Sequence, residues 1–157
     1  MLDVKMLKER DICRALFDGF ERRQVVTDCW RREGGRWVIR REPFVDQWSE
    51  EDYRFLVRCL QNTAKTGGAV FGAFEAGRLL GFGSVEAEPL GPGGEYLDLS
   101  CLHVSEQARG KGLGRRLFEA AADWARERGA EKLYISSHSA VETQAFYQAM
   151  GCVDAGY

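Results

Sequence analysis

The feature that most constrains the fold is RGKGLGRR, at residues 109–116. Glycine occupies three alternate positions in it: Gly110, Gly112 and Gly114. An amphipathic run begins at Leu113, and the first N–H groups of a helix have no acceptor within that helix. Glycine also adopts the backbone angles that turn successive N–H groups inward. The sequence therefore predicts an anion-binding loop between a strand and a helix, where Arg109 and Lys111 add positive charge.

Two well-known nucleotide-binding loops contain similar glycines, and neither matches this stretch. A P-loop has Ser or Thr directly after its lysine, whereas Gly112 follows Lys111 here. A dinucleotide-binding loop has a third glycine three residues after the second, and Arg115 stands at that position. Two interpretations remain at this point: a loop for another phosphate-bearing ligand, or a glycine-rich turn with solvated cations.

The order of the predicted elements indicates an α+β fold in a single domain over residues 1–157. We predict helices over residues 9–23, 49–63, 113–128 and 140–150. We predict strands over residues 29–32, 37–40, 69–75, 79–88, 96–104 and 132–137. The second helix has the clearest start, because the Ser49 hydroxyl precedes three acidic residues suited to the positive end of a helix.

Composition excludes several classes of protein. The net charge of −2 provides no basic field for nucleic acid, and no apolar run is long enough to cross a membrane. The five cysteines are odd in number and widely spaced, without the spacing of a disulfide framework or a metal site. We therefore expect a cytoplasmic protein without a metal, which binds neither nucleic acid nor membrane.

Two motifs in the same order and spacing resemble the GNAT superfamily of N-acetyltransferases. RGKGLG at residues 109–114 resembles the acyl-CoA motif Q/R-x-x-G-x-G/A of that family. QAFYQAMGC at residues 144–152 resembles its second signature, a helix carrying Phe-Tyr shortly before a glycine. The similarity covers residues 69–152 well. It implies a mixed, mostly antiparallel central sheet flanked by helices, with acetyl-CoA as cosubstrate.

The resemblance also implies where acetyl-CoA binds. Backbone N–H groups of residues 110–115 would bind the pyrophosphate, and the pantetheine arm would pair with Leu102 and Val104 as an additional strand. The acetyl group would lie where this strand and the strand over residues 132–137 separate. The expected cofactor-binding residues are Leu102, His103, Val104, Arg109, Gly110, Lys111, Gly112, Leu113, Gly114, Arg115 and Thr143.

Two side chains are expected to act in catalysis. Tyr147 lies opposite the apolar face of the last predicted helix, and the matching family position carries the general acid that protonates the leaving thiolate. Glu86 is the candidate base: if Glu88 pairs with Tyr96, Glu86 lies beside Asp98, and two neighbouring carboxylates raise the pKa of one of them. The alternatives are a solvated polar face, proton removal through water, or a base at His103 or His138.

The chain also departs from the family. Family members continue after the second signature with two more strands, whereas this sequence stops at Tyr157. We therefore expect the sheet to lack its last one or two strands, and either a second copy of the chain to cover the open edge at residues 132–137 or a further C-terminal tail to complete the sheet.

The predicted function is acetyl transfer from acetyl-CoA to a primary amine, by direct attack in a ternary complex. The expected acceptor is a small molecule, and the second choice is a protein N-terminus or lysine. The alternative from another class is a non-catalytic acyl-CoA sensor or scaffold.

Overall fold

The computed structural model describes residues 2–20, 23–33, 36–91, 93–110, 112–135, 146, 147, 150 and 152. The chain divides into two compact units: Met1–Arg22 with Trp48–Ile135, and Arg23–Gln47 with Ser136–Tyr157. In the described part of the chain, no helix is long and apolar enough to cross a membrane.

The first unit is built on a five-stranded sheet. Its strands are β1 (Leu2–Leu7), β4 (Ala69–Glu75), β5 (Arg78–Val85), β6 (Tyr96–Val104) and β7 (Lys132–Ile135). They lie in the order β1-β4-β5-β6-β7; the first three pairings are antiparallel, and β6 pairs with β7 in parallel. The predicted mixed, mostly antiparallel sheet is thus confirmed. Among the described residues, β7 is its last strand.

One face of this sheet packs against helix α1 (Glu50–Lys65). Ser49 caps the helix as predicted, because its hydroxyl accepts the N–H of Asp52 while the Asp52 carboxylate accepts the N–H of Ser49. Phe82 of β5 is fully buried on this face, with its ring 5.2 Å from that of Phe17 and 5.4 Å from that of Phe20. These contacts form an aromatic core beneath α1.

The opposite face packs against helix α2 (Leu113–Glu127). A Cβ atom at Gly81 would lie 2.9 Å from a methyl group of Leu117 and 3.1 Å from one of Leu113, so glycine lets the helix approach the strand closely. The helical spacing predicts a buried stripe, and all its members are buried except Phe118, which is half-buried: Leu113, Leu117, Phe118, Ala121, Trp124 and Ala125. The start of α2 is therefore fixed against β5, where it can position the glycine-rich loop.

The second unit contains a long hairpin of β2 (Arg23–Glu33) and β3 (Arg36–Gln47). Its register, from Arg23 opposite Gln47 to Glu33 opposite Arg36, confirms the predicted strands over residues 29–32 and 37–40 and extends both well beyond the predicted ends. In the same unit Phe146 and Tyr147 are helical, with their ring centroids 5.1 Å apart. Met150, the last residue of the predicted helix, donates its N–H to the carbonyl oxygen of Phe146 at 3.2 Å, and the other residues of that helix lie outside the described residues.

The predicted helix over residues 9–23 is wrong. Over its described residues up to Phe20, this segment contains two short 3-10 turns, Glu9–Asp11 and Arg14–Phe17, and the unpredicted strand β1 precedes them. The apolar spacing suggested a helix because Ile12, Phe17 and Phe20 are all buried. They reach the aromatic core beneath α1 (the α1-face core) from an irregular segment. Burial at those intervals does not require a continuous helix.

The predicted end of β5 is also wrong. The strand ends at Val85 instead of residue 88, and Tyr96 pairs with Leu90 instead of Glu88. The predicted neighbourhood of Glu86 nevertheless holds, because its backbone N–H donates to the carbonyl oxygen of Asp98 at 2.9 Å.

Candidate active site

The glycine-rich loop leads from β6 through a 3-10 turn, Glu106–Ala108, into α2. Gly110 has φ +81° and Gly112 has φ +77°, the left-handed region that favours glycine. A Cβ atom at either glycine would meet nothing within 4 Å, so the space in front of both is open. The predicted need for glycine is explained by these two angles and this open approach.

The loop also presents donors and charge. The N–H of Arg116 is the first in α2 to reach an acceptor of the helix, the carbonyl oxygen of Gly112 at 3.3 Å. The N–H groups of Leu113, Gly114 and Arg115 precede it and therefore have no acceptor within the helix. The Arg109 and Arg115 side chains are exposed, and Lys111 lies outside the described residues. This arrangement suits an anion at the N-terminus of α2.

The strand before the loop has one backbone edge directed away from β5. On the side that faces β5, the N–H of Ser105 donates to the carbonyl oxygen of Leu80 at 2.8 Å, and His103 lies opposite Phe82. Because orientation alternates along an antiparallel strand, Leu102 and Val104 direct their N–H and C=O groups to the other side. The pairing of β6 with β7 ends at Leu99 opposite Ile135, and no described strand lies beside Leu102 and Val104. For a pantetheine arm to pair with β6, these N–H and C=O groups must point away from β5, as they do at Leu102 and Val104.

A β-bulge interrupts β6 between these two regions. Ser84 lies opposite Cys101 and Val85 lies opposite Leu99, which leaves Ser100 as the additional residue. The Ser84 and Ser100 hydroxyl oxygens are 2.6 Å apart, so both side chains lie on the α1 face. Sequence reasoning missed this bulge, and serine in a predicted strand is the only local signal for it.

Glu86 follows β5 directly and reaches the same face. The hydroxyl oxygen of the buried Thr63 of α1 lies 2.8 and 3.1 Å from the two carboxylate oxygens of Glu86 and 3.0 Å from the carbonyl oxygen of Cys59, so these acceptors share its single proton. The Ser100 hydroxyl donates to the same carboxylate. Neither hydroxyl was predicted as part of the site, because the contacts join residues far apart in the sequence.

Asp98 shares this face with Glu86. Val85 lies opposite Leu99, so the residues next to them, Glu86 and Asp98, share one face, and the contact of Glu86 with Thr63 places that face on the α1 side. Burial raises the pKa of the Asp98 carboxyl, and the nearby charge of Glu86 raises it further. The sequence predicted two neighbouring carboxylates with one raised pKa, and the structure places the raised pKa at Asp98.

The structure describes the positions of only some of the remaining predicted site residues. The imidazole ring of His103 lies on the α1 face, 4.7 Å from the Trp48 ring and 5.5 Å from the Phe82 ring. Trp48 packs with Tyr53 as well, at 5.5 Å, and so belongs to the aromatic core. Tyr147 is half-buried in the second unit, and its role stays a prediction. Thr143 and His138 lie outside the described residues.

Cys101 is the thiol nearest this cluster. Burial raises its pKa to about 11, so the thiol is protonated at neutral pH and is a poor nucleophile. We expect iodoacetamide at pH 8 to alkylate the exposed Cys13 and Cys59 well before Cys101, as read by peptide mass spectrometry. Alkylation of Cys101 at the rate of Cys59 would contradict this and would reopen a covalent acetyl-cysteine route.

No group of three or more His, Cys, Asp or Glu side chains within the described residues is arranged to hold a metal ion. The candidate site in the first unit consists of the glycine-rich loop with its exposed arginines, the outward edge of β6 at Leu102 and Val104, and the two carboxylates beside the bulge.

Comparison with known proteins gives the family. The model of the acetyltransferase (GNAT) family matches residues 25–152 of this chain. A search of the curated proteins found no match.

Solved structures share the fold at low sequence identity. Nourseothricin acetyltransferase is 18% identical with a TM-score of 0.67, over 96% of this chain and 81% of that one. Ribosomal-protein-alanine N-acetyltransferase from Brucella melitensis biovar Abortus 2308 is 19% identical with a TM-score of 0.64, over 100% and 95%. A predicted acetyltransferase from Clostridium acetobutylicum, solved with acetyl-CoA, is 14% identical with a TM-score of 0.66, over 99% and 92%. With the family model matching most of its length, this chain belongs to the GNAT acetyltransferase family.

Proposed function

We propose that this protein transfers the acetyl group of acetyl-CoA to a primary amine of a small molecule, by direct attack in a ternary complex. One observation carries the proposal: the outward backbone edge at Leu102 and Val104 leads straight into a loop with two open, left-handed glycines at the start of α2. An edge of this kind suits the amide groups of a pantetheine arm, and the loop suits its diphosphate. The similar structure from Clostridium acetobutylicum contains acetyl-CoA.

Direct attack follows from the chemistry available. The acceptor ammonium loses a proton, its nitrogen attacks the thioester carbon, and the C–S bond of the tetrahedral intermediate then breaks. We propose that the Tyr147 hydroxyl gives its proton to the departing thiolate, a role supported by the matching family position. A covalent acetyl-cysteine is disfavoured because the pKa of Cys101 is raised to about 11.

The acceptor class rests on charge. Glu86 and Asp98 place two carboxylates on the face where β6 and β7 stop pairing, and carboxylates attract an ammonium group. We propose a small amine as the acceptor, and a protein N-terminus or lysine as the second choice. The similar structures include an enzyme named for an antibiotic and one named for a ribosomal protein, so they favour neither.

Two further proposals concern the whole protein. We propose that residues 1–157 act as one acetyltransferase domain in the cytoplasm, where a reducing compartment suits the free thiols of the described cysteines. We also propose that a second copy covers the outer edge of β7, since β7 is the last strand of the sheet among the described residues and an open strand edge tends to pair. Sedimentation equilibrium tests the dimer, and a monomer at all concentrations would contradict it.

The proposed function is tested by measuring both coenzyme A binding and acetyl transfer on the same protein. Calorimetry with coenzyme A measures binding, and release of free thiol from acetyl-CoA measures transfer to a panel of amines. The panel contains small aliphatic and sugar amines, a peptide with a free N-terminus and a peptide with an internal lysine. Turnover with a small amine supports the proposal. Binding without turnover would indicate an acyl-CoA sensor, and absence of binding would overturn both interpretations.

A further inference from the structure

Strand β1 lies at the opposite end of the described sheet from β7. Among the described residues, β4 is the only strand that pairs with it. A strand at the edge of a sheet has a row of backbone N–H and C=O groups that can pair with another chain. Proteins commonly protect such an edge with charged side chains, so the charges of β1 decide what can pair there.

The direction of the backbone groups in β1 follows from the neighbouring strands. In β5, Gly81 directs its backbone groups towards β4, because its neighbour Leu80 bonds with β6. Gly81 lies opposite Ala73, so the next residue of β4, Gly72, bonds with β1, where it lies opposite Lys5. By the same alternation, the residues whose N–H and C=O groups point away from the sheet are Leu2, Val4 and Met6.

One face of β1 carries opposite charges two residues apart. Leu7 lies opposite Val70, and both are buried in the α1-face core. Side chains alternate along a strand, so Asp3 and Lys5 share this face. Both are exposed, and the Lys5 ammonium lies over the Phe74 ring, 4.8 Å from its centroid. At the edge of the sheet, this face therefore presents one anion and one cation.

The other face of β1 is apolar. Leu2 and Val4 are half-buried on it, and Met6 is 55% exposed. Met6 lies opposite Phe71, which is buried. A second apolar strand beside β1 would continue this row of side chains and cover Met6.

We propose that the outer edge of β1 is a self-association surface, on which β1 of a second copy of this chain pairs antiparallel, with Val4 opposite Val4. A two-fold axis at this position places Leu2 opposite the second copy's Met6, so the outward backbone groups of the two strands meet. It also places Asp3 of each copy opposite Lys5 of the other. The inference goes beyond the proposed acetyl transfer and does not depend on it.

The charges select both the register and the partner. A two-fold axis one residue earlier or later also aligns the outward backbone groups, but it places Asp3 opposite Asp3 or Lys5 opposite Lys5. Like charges directly opposite each other destabilise a strand pair, whereas opposite charges stabilise it. A foreign strand without a matching acidic residue would leave Lys5 without that stabilisation. A second copy supplies the acid and the apolar row together.

Exchange of the two charges tests the inference. Between like copies, D3K places lysine opposite Lys5, and K5D places aspartate opposite Asp3. We expect each variant alone to self-associate at least about tenfold more weakly than the wild type. An equimolar mixture of the two variants places lysine opposite aspartate at both positions, so we expect it to regain the wild-type mass in sedimentation equilibrium. This recovery also establishes that both variants are folded.

D123K is the matched control. Asp123 is an exposed residue of α2, and the substitution changes the net charge by as much as D3K does. We expect D123K to have the wild-type mass. A wild-type protein that is monomeric at all concentrations would overturn the inference. So would D3K and K5D variants that self-associate like the wild type, or whose mixture stays at the mass of the separate variants.

Hydrogen exchange distinguishes this interface from a dimer through β7. We expect the outward N–H groups of Val4 and Met6 to exchange slowly in the wild-type assembly and quickly in D3K. The N–H groups of Lys5 and Leu7 face β4 and stay slow in both. Fast exchange of the outward groups in an assembled wild type would contradict pairing at this edge. A protein that assembles through β1 but transfers acetyl to no amine overturns only the proposed function.

Discussion

G112A is expected to weaken coenzyme A binding at least about tenfold, which corresponds to ~1.4 kcal/mol. Gly112 has φ +77°, and the space in front of it is open. A methyl group there occupies the path by which a phosphate approaches the N–H groups at the start of α2. The left-handed angle also costs alanine about 1–2 kcal/mol, which favours rotation of these N–H groups away from the ligand. Calorimetric titration with coenzyme A measures the effect.

The matched control is G129A, at the other end of the same helix. Gly129 has φ +85° and nothing within 4 Å of an added Cβ, so the backbone strain of the two variants is comparable. We expect both variants to lose similar stability in thermal melting, and only G112A to lose affinity. Equal affinity in G112A and wild type would contradict the placement of the diphosphate at this loop.

Y147F is expected to lower kcat for acetyl transfer by about 10²–10⁴-fold while leaving coenzyme A affinity unchanged. The substitution removes only the hydroxyl that we propose as the proton donor to the leaving thiolate. The ring, which contacts Phe146, is retained. Steady-state rates of thiol release with a saturating amine measure the effect, and calorimetry measures the affinity.

Y53F is the control for Y147F, because it also removes a tyrosine hydroxyl but leaves the proposed proton donor in place. Tyr53 is buried in the α1-face core and donates its hydroxyl to the carbonyl oxygen of Phe20 at 3.0 Å. We expect Y53F to lose about 1 kcal/mol of stability and to keep its kcat. If Y147F turned over as fast as Y53F, the proton donor would have to be another group, such as solvent.

Local patterns predicted the elements that carry their own signals. The capping residues of α1 fixed its start at Ser49, and the buried positions of α2 follow its helical spacing. The alternating glycines predicted a loop with unusual backbone angles, and the structure gives two of them, Gly110 and Gly112, left-handed angles. These features depend on interactions within a few residues, which a sequence reports directly.

The same reasoning failed for features that depend on contacts between residues far apart in the sequence. Ile12, Phe17 and Phe20 suggested a helix, but their burial comes from a core formed with α1 and β5. The bulge at Ser100 and the hydroxyl of Thr63 were not predicted, because each depends on a partner in another element. The register of Glu86 beside Asp98 was reached from the wrong pairing of Tyr96, which bonds with Leu90.

The sequence by itself determined the family, the order of most elements and the glycine-rich loop at the start of α2, because each is carried by a contiguous motif. Only the tertiary structure decided which carboxylate is fixed and which has the raised pKa. Thr63 lies in α1, Glu86 directly after β5, and Asp98 and Ser100 in β6, and the pKa of Asp98 depends on the burial and charge that folding places around it.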